Sequence, residues 1–149
     1  MCHQCNYVEL FNRSRLETTR NRLRVLSIIG DNAYPLSATD IIEVMQREMS
    51  INRVTVYRIL DLLVSYGLVE RLSTGGRAFY YGMAPNENHP RHPHFYCKNC
   101  GQMECLDTRI LPIDSERFQK NFAGRIDKVE IRMDGMCKNC MRSNASPRH

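Results

Sequence analysis

Seven cysteines are spread over 149 residues, and six of them fall into three C-x-x-C pairs: Cys2 and Cys5, Cys97 and Cys100, Cys137 and Cys140, with Cys105 left over. A C-x-x-C turn aims two thiolates at one point, and two such turns complete a tetrahedron around zinc. Cys97, Cys100, Cys137 and Cys140 are therefore expected to hold one structural zinc per chain. Such a closed site has no open position for a substrate or a reactive water. Both turns carry the same inner residues, Lys98-Asn99 and Lys138-Asn139, and the lysines offset the negative charge of four thiolates. Cys2-His3-Gln4-Cys5 reads first as a chain end without a role, with a metal-ligand pair or a redox-sensitive dithiol as the alternatives.

A second set of donors precedes the first pair. His92 and His94 lie two apart, and on an extended segment such residues point to the same side, so two imidazoles can share a metal. Cys105, five residues past Cys100, can add a thiolate from the neighbouring stretch, with Glu87 or His89 as further ligands. Thiolate with imidazole suits zinc, cobalt or ferrous iron and disfavours magnesium or manganese. The competing reading is an exposed histidine cluster beside a small buried cysteine. A metal held there beside a linker would be regulatory, because it could fix how two domains sit.

The elements that must position these groups divide at about residue 84. From Met83 to Pro93 the chain carries three prolines and two asparagines and reads as a linker. Beyond it, Phe95-Tyr96, Met103 to Leu106 and Lys128 to Met133 are expected as strands, and Asp114 to Phe122 as a helix closed by Gly124. The expected organisation is 1–83 as one domain, 84–93 as a hinge linker, 94–142 as a second domain and 143–149 as a disordered tail.

The first domain reads as helices followed by a hairpin. Leu23, Val25, Leu26, Ile28 and Ile29 form a helical stripe between Thr19 and Gly30. Ser37 with Asp40 three residues later forms a capping box ahead of Ile41, Ile42, Val44 and Met45. Asn52 caps a third helix with Val56, Ile59, Leu60, Leu63 and Val64, ended by Tyr66-Gly67. Leu68 to Leu72 and Ala78 to Gly82 are strand-forming runs around the turn Ser73-Thr74-Gly75-Gly76-Arg77. This order is that of a winged helix-turn-helix, so the fold class is α+β, a winged helix followed by a small α/β domain around the four-cysteine site. In that motif the third helix lies in the major groove of double-stranded DNA. One reading of its wheel buries Val54, Ile59 and Leu60 and leaves Arg53, Thr55, Tyr57 and Arg58 for DNA. Arginine pairs with guanine and the tyrosine ring suits a thymine methyl. Arg77 at the hairpin tip and Arg20, Arg22 and Arg24 add cations for phosphates. The plainer alternative is that these arginines are the solvated face of ordinary helices.

A net charge of +5 permits a polyanionic partner without requiring one. No stretch approaches the roughly 18 to 20 apolar residues of a membrane span, and no secretory signal core opens the chain, so a cytoplasmic location is expected. A reducing compartment also argues against a disulfide framework. Zinc-enzyme chemistry lacks its open coordination position and general base, and the zinc-deaminase pattern of H-x-E with P-C-x-x-C is absent. A thiol oxidoreductase would need a βαβ context that is missing.

From Thr19 to Cys140 the chain resembles the ferric-uptake-regulator family of metal-sensing repressors. The carriers are Leu36-Ser37-Ala38-Thr39-Asp40-Ile41-Ile42, Val54-Thr55-Val56-Tyr57-Arg58-Ile59-Leu60, Tyr66-Gly67-Leu68-Val69, Gly75-Gly76-Arg77, His92-Pro93-His94-Phe95-Tyr96-Cys97, Cys100-Gly101 and Cys137-x-x-Cys140. The resemblance implies a homodimer whose second domain dimerises, and which binds a palindromic operator and represses metal-uptake genes when metal is bound. It also implies that Tyr57 and Arg58 read DNA, and that His92 and His94 belong to a regulatory site at the hinge. Three departures bear on the metal. Pro35 stands where iron sensors usually have a histidine, Pro93 where they have an aspartate, and Cys105 where they have an acidic ligand. Sulfur in place of oxygen favours zinc over ferrous iron as the sensed ion. Iron sensing and peroxide sensing are the alternatives within the family.

Overall fold

The computed structural model describes residues 6–86 and 90–143. The chain forms two compact units, Met1–His89 and Pro90–His149. No described helix is long and apolar enough to cross a membrane.

Unit 1 contains α1 (Tyr7–Ser14), α2 (Arg20–Gly30), β1 (Leu36–Ser37), α3 (Ala38–Glu48), α4 (Arg53–Ser65), β2 (Val69–Ser73) and β3 (Phe79–Met83). Polar side chains start each helix. Thr19 accepts from the Arg22 amide, Asn52 accepts from the Thr55 amide at 2.8 Å, and Ser37 and Asp40 form the expected reciprocal capping box. Each such cap satisfies amide donors that the helix itself leaves open and contributes about 1 kcal/mol. The apolar stripes of α2, α3 and α4 then meet in one core, with Leu26, Ile41, Met45, Val56, Leu60 and Leu63 fully buried.

Two elements here were not foreseen. The helix α1 inserts Phe11 into that core, and the short strand β1 pairs with β3 to give the sheet order β1-β3-β2. One assignment on α4 is corrected: Val54 is 56% exposed, whereas Val56 is buried. The buried stripe of α4 runs Val56, Ile59, Leu60 and Leu63, the spacing of one helical face, and Val54 lies on the far side of it.

Unit 2 contains β4 (His94–Cys97), β5 (Met103–Cys105), α5 (Ser115–Lys120), β6 (Arg132–Gly135) and α6 (Lys138–Ser143). Its sheet has the order β5-β4-β6, with β5 antiparallel and β6 parallel to the central strand. The expected strand from Lys128 to Met133 begins only at Arg132, where pairing with His94 begins. The helix expected over Asp114 to Phe122 stops at Lys120, buries no side chain, and uses Asp114 as its cap. Ser143 closes α6 and so belongs to a helix rather than to a disordered tail, while residues 144–149 lie outside the described residues. The proline-rich join is drawn into each unit at its ends. Ala84 N–H donates to the Leu68 carbonyl, and Pro93 is fully buried and accepts from the Leu106 amide.

Candidate metal centres and nucleic-acid interface

The strand β4 positions two donor clusters, one at each end. Its last residue, Cys97, is joined by Cys100, Cys137 and Cys140, and the four sulfurs all lie within 4.8 Å of one another. Chain geometry produces this convergence in two steps. After β4 the chain turns through Gly101, whose φ of 78° is a left-handed conformation suited to glycine, and the Gly101 amide donates to the Cys97 carbonyl. The parallel strand β6 then delivers Gly135 beside Cys97, where its carbonyl accepts from the Lys98 amide at 2.8 Å, so the second pair arrives alongside the first.

The sulfurs stand 3.8 Å apart in the pairs Cys97 with Cys140 and Cys100 with Cys137. Burial alone would raise the Cys97 thiol. The amides of Cys100 and Cys137, donating at 3.4 and 3.3 Å, together with the Asn99 amide and the Cys100 thiol, outweigh burial and bring its pKa down to about 6. Amides aimed at a sulfur are what a bound thiolate needs, and four sulfurs at this separation match the donor set of a structural zinc.

At the other end of β4, His92, His94 and Cys105 bring their ligand atoms within 4.8 Å of one another. The antiparallel pairing places Cys105 directly opposite His94, and the two imidazole centroids are 4.5 Å apart. His94 is 5% exposed, and burial first, then the neighbouring His92, lowers its pKa to about 4. It is therefore a neutral imidazole with a lone pair to give. His92 places Nδ1 2.9 Å from the Pro90 carbonyl, which can only accept, so Nδ1 carries the proton. Its Nε2 is then a lone pair, buried and without a hydrogen-bond partner among the described residues. A ring whose other nitrogen is held by a backbone carbonyl is the usual arrangement of a metal-ligating histidine, so these residues fit a soft-to-borderline metal. The further candidates Glu87 and His89, like Cys2 and Cys5, lie outside the described residues. Pro93 between the two histidines is buried and offers no ligand.

On unit 1, Arg53, Tyr57 and Arg58 of α4 are exposed, as is Arg77 at the hairpin tip. Tyr57 and Arg77 line one groove together with Ser37, Ala38, Thr39, Phe79 and Tyr81. Thr55 is less available, since its hydroxyl donates to Asn52 Oδ1 at 3.0 Å and so supports the cap. The Arg22 guanidinium donates to the Glu17 carbonyl at 2.9 Å, and Arg24 is paired with Glu48. Arg24 is thus engaged within the protein, and a phosphate would compete with Glu48 for it.

Comparison with known families decides what kind of protein carries this arrangement, because residues 13–133 match the sequence profile of the Ferric uptake regulator family. The chain belongs to that family. A Ferric uptake regulator family member is a metal-responsive transcriptional regulator and not an enzyme. Among its relatives, the ferric uptake regulation protein of Campylobacter jejuni is 25% identical over 93% of this chain and 88% of its own length. The fold resembles that of the Helicobacter pylori ferric uptake regulator, described as having three functional metal-binding sites, with a TM-score of 0.74 at 22% identity, covering 97% of this chain and all of the other. It also resembles a zinc uptake regulator solved with zinc and DNA, with a TM-score of 0.65 at 21% identity and 93% of each chain covered. These likenesses establish the Ferric uptake regulator fold, a winged helix followed by a small α/β domain with a four-cysteine cluster fit for zinc.

Proposed function

We propose that this chain is a zinc-responsive repressor, a homodimer that binds a palindromic operator when metal fills the cluster of His92, His94 and Cys105. The observation that carries this reading is the convergence of two lone-pair imidazole nitrogens and a cysteine sulfur at one end of β4, separate from the four-cysteine cluster at the other. A thiolate where iron sensors carry an acidic ligand favours zinc. The zinc uptake regulator solved with zinc and DNA supports the pairing of that metal with operator binding on this fold. Glu87 and His89 are the candidates to complete the coordination.

Arg53, Tyr57 and Arg58 read the major groove in this proposal, and Arg22 and Arg77 serve phosphates. Unit 2 supports the dimer, since Ile110, Phe122 and Met141 are at least half exposed and offer apolar surface for a second copy to cover.

The test is elemental analysis of the purified protein before and after mild chelation. It is paired with binding to a duplex selected by the protein from a random-sequence pool, after adding back zinc or anaerobic ferrous iron. One tightly held zinc per chain and a second, weaker zinc that restores DNA binding are expected. Restoration by ferrous iron alone would make the protein an iron sensor and overturn the zinc assignment.

A further inference from the structure

Arg71 is on β2, yet its guanidinium connects three elements of unit 1. Nη2 donates to Asp61 Oδ1 of α4 at 2.9 Å, the guanidinium carbon lies 5.3 Å from the centre of the Phe79 ring on β3, and its charge acts on the Tyr81 hydroxyl, also on β3. Phe79 and Tyr81 in turn line the groove that contains Tyr57 of α4 and Arg77 of the hairpin tip. The only covalent route from α4 to Arg77 is the turn after Ser65 and the full length of β2. A flat, always charged group that stacks on one side and donates along its edge is suited to hold two elements at a fixed separation, which a flexible ammonium does less well.

We propose that Arg71 is a positioning residue for DNA recognition: it braces the β2–β3 wing against α4, so that Arg77 meets a phosphate while Tyr57 is seated in the groove. The proposal rests on the assignment of Tyr57 and Arg77 to DNA, and its consequences for the free protein do not. Arg71 need not touch DNA to matter, because a hairpin tip displaced by an ångström or two loses a directional contact made at its end.

Removing the guanidinium leaves no stranded charge, since the Asp61 side chain is 66% exposed and is solvated when unpaired. Arg71→Met is therefore expected to fold. Hydrogen exchange on the free, metal-loaded protein is the first measurement. Amides of β3 are expected to exchange about tenfold faster in R71M, with those of α2 unchanged and R71K intermediate. Unchanged exchange across β3 overturns the brace, whatever happens with DNA.

The second measurement is a double-mutant cycle of R71M and R77Q on a duplex selected by the zinc-loaded wild type from a random pool. R77Q is expected to weaken binding and to reduce the salt dependence by about one phosphate contact. R71M is expected to do the same, and R77Q added to R71M to cost less than about twofold more, because both disable one contact. Additive losses in affinity and in salt slope would show Arg71 to be a phosphate ligand itself and would overturn the positioning role. If R77Q alone leaves wild-type binding unchanged, the assignment of Arg77 to DNA fails, and the exchange result alone decides the brace.

Discussion

At the scale of single residues, the proposed zinc sensing turns on Cys105. Paired with His94 across the sheet, it supplies the sulfur that separates this cluster from an all-nitrogen and oxygen site. Cys105→Asp keeps a ligand at the position and changes its hardness. Because Cys105 is exposed, the fold is expected to tolerate the change. Zinc is expected to lose affinity relative to manganese by at least about tenfold, the scale on which changes around a metal site usually register. Competitive titration of the two ions checks this, and an unaltered ratio would remove Cys105 from the ligand set. His94→Ala is expected to leave the protein folded with its four-cysteine zinc in place while abolishing metal-dependent DNA binding; normal metal-dependent binding would exclude His94 from sensing. Both clusters were legible in the sequence because the spacing within each C-x-x-C and H-x-H pair is short, and the pairing of β4 with β5 and β6 closes them. The lone pair of His92 was not legible, since it depends on where the Pro90 carbonyl points.

Elements were legible where period and caps agreed. In α2, α3 and α4 an apolar stripe follows a capping side chain, and all three begin within a residue of the expected place. The misses have a common cause. With eight residues and one buried side chain, Phe11, α1 has too short a stripe to show a period, and β1 has two residues whose role comes only from β3. Alternation from Lys128 suggested a strand that begins four residues later, because pairing with β4, and not the side-chain pattern, sets its start. Tertiary contact also explains Gly30, the last residue of α2. A Cβ there would lie 2.7 Å from Tyr7 Cζ, and the Tyr7 hydroxyl is hydrogen-bonded to Asp31 at 2.6 Å, so this glycine is where α1 docks on α2. Alanine normally stabilises a helix by up to about 1 kcal/mol over glycine. Gly30→Ala is nevertheless expected to destabilise unit 1 by about 1–2 kcal/mol, the cost of overpacking. The loss should shrink in a Tyr7→Ala background, where the clash is absent. Denaturant unfolding of the four proteins checks this, and a stabilised G30A would refute the docking argument.

At the scale of the whole molecule, the two units are held together by different means. Unit 1 has a continuous core of aliphatic and aromatic side chains drawn from four helices and a hairpin. In unit 2 the buried cluster consists of Cys97, Cys137 and Cys140, with Phe95 and Met136 packed against it. Hydrophobic burial therefore stabilises the first without help. With only Pro93, His94 and Met103 buried beside these thiols among its described residues, unit 2 is expected to take much of its folding free energy from zinc, which supplies roughly 10 kcal/mol or more in small zinc domains. Strong chelation is thus expected to unfold unit 2 and leave unit 1 folded. Hydrogen exchange would then show the amides of β4, β5 and β6 unprotected while those of α2 and α4 keep their protection. Cys97→Ser should reproduce the pattern without chelator, since three thiolates do not close the tetrahedron. Dimers should dissociate in both cases, because the exposed apolar residues proposed for the interface belong to the unit that unfolds. If chelation instead removed zinc and left β4 protected and the dimer intact, the four-cysteine site would be dispensable to the fold. The stability of unit 2 would then have to come from the subunit interface itself.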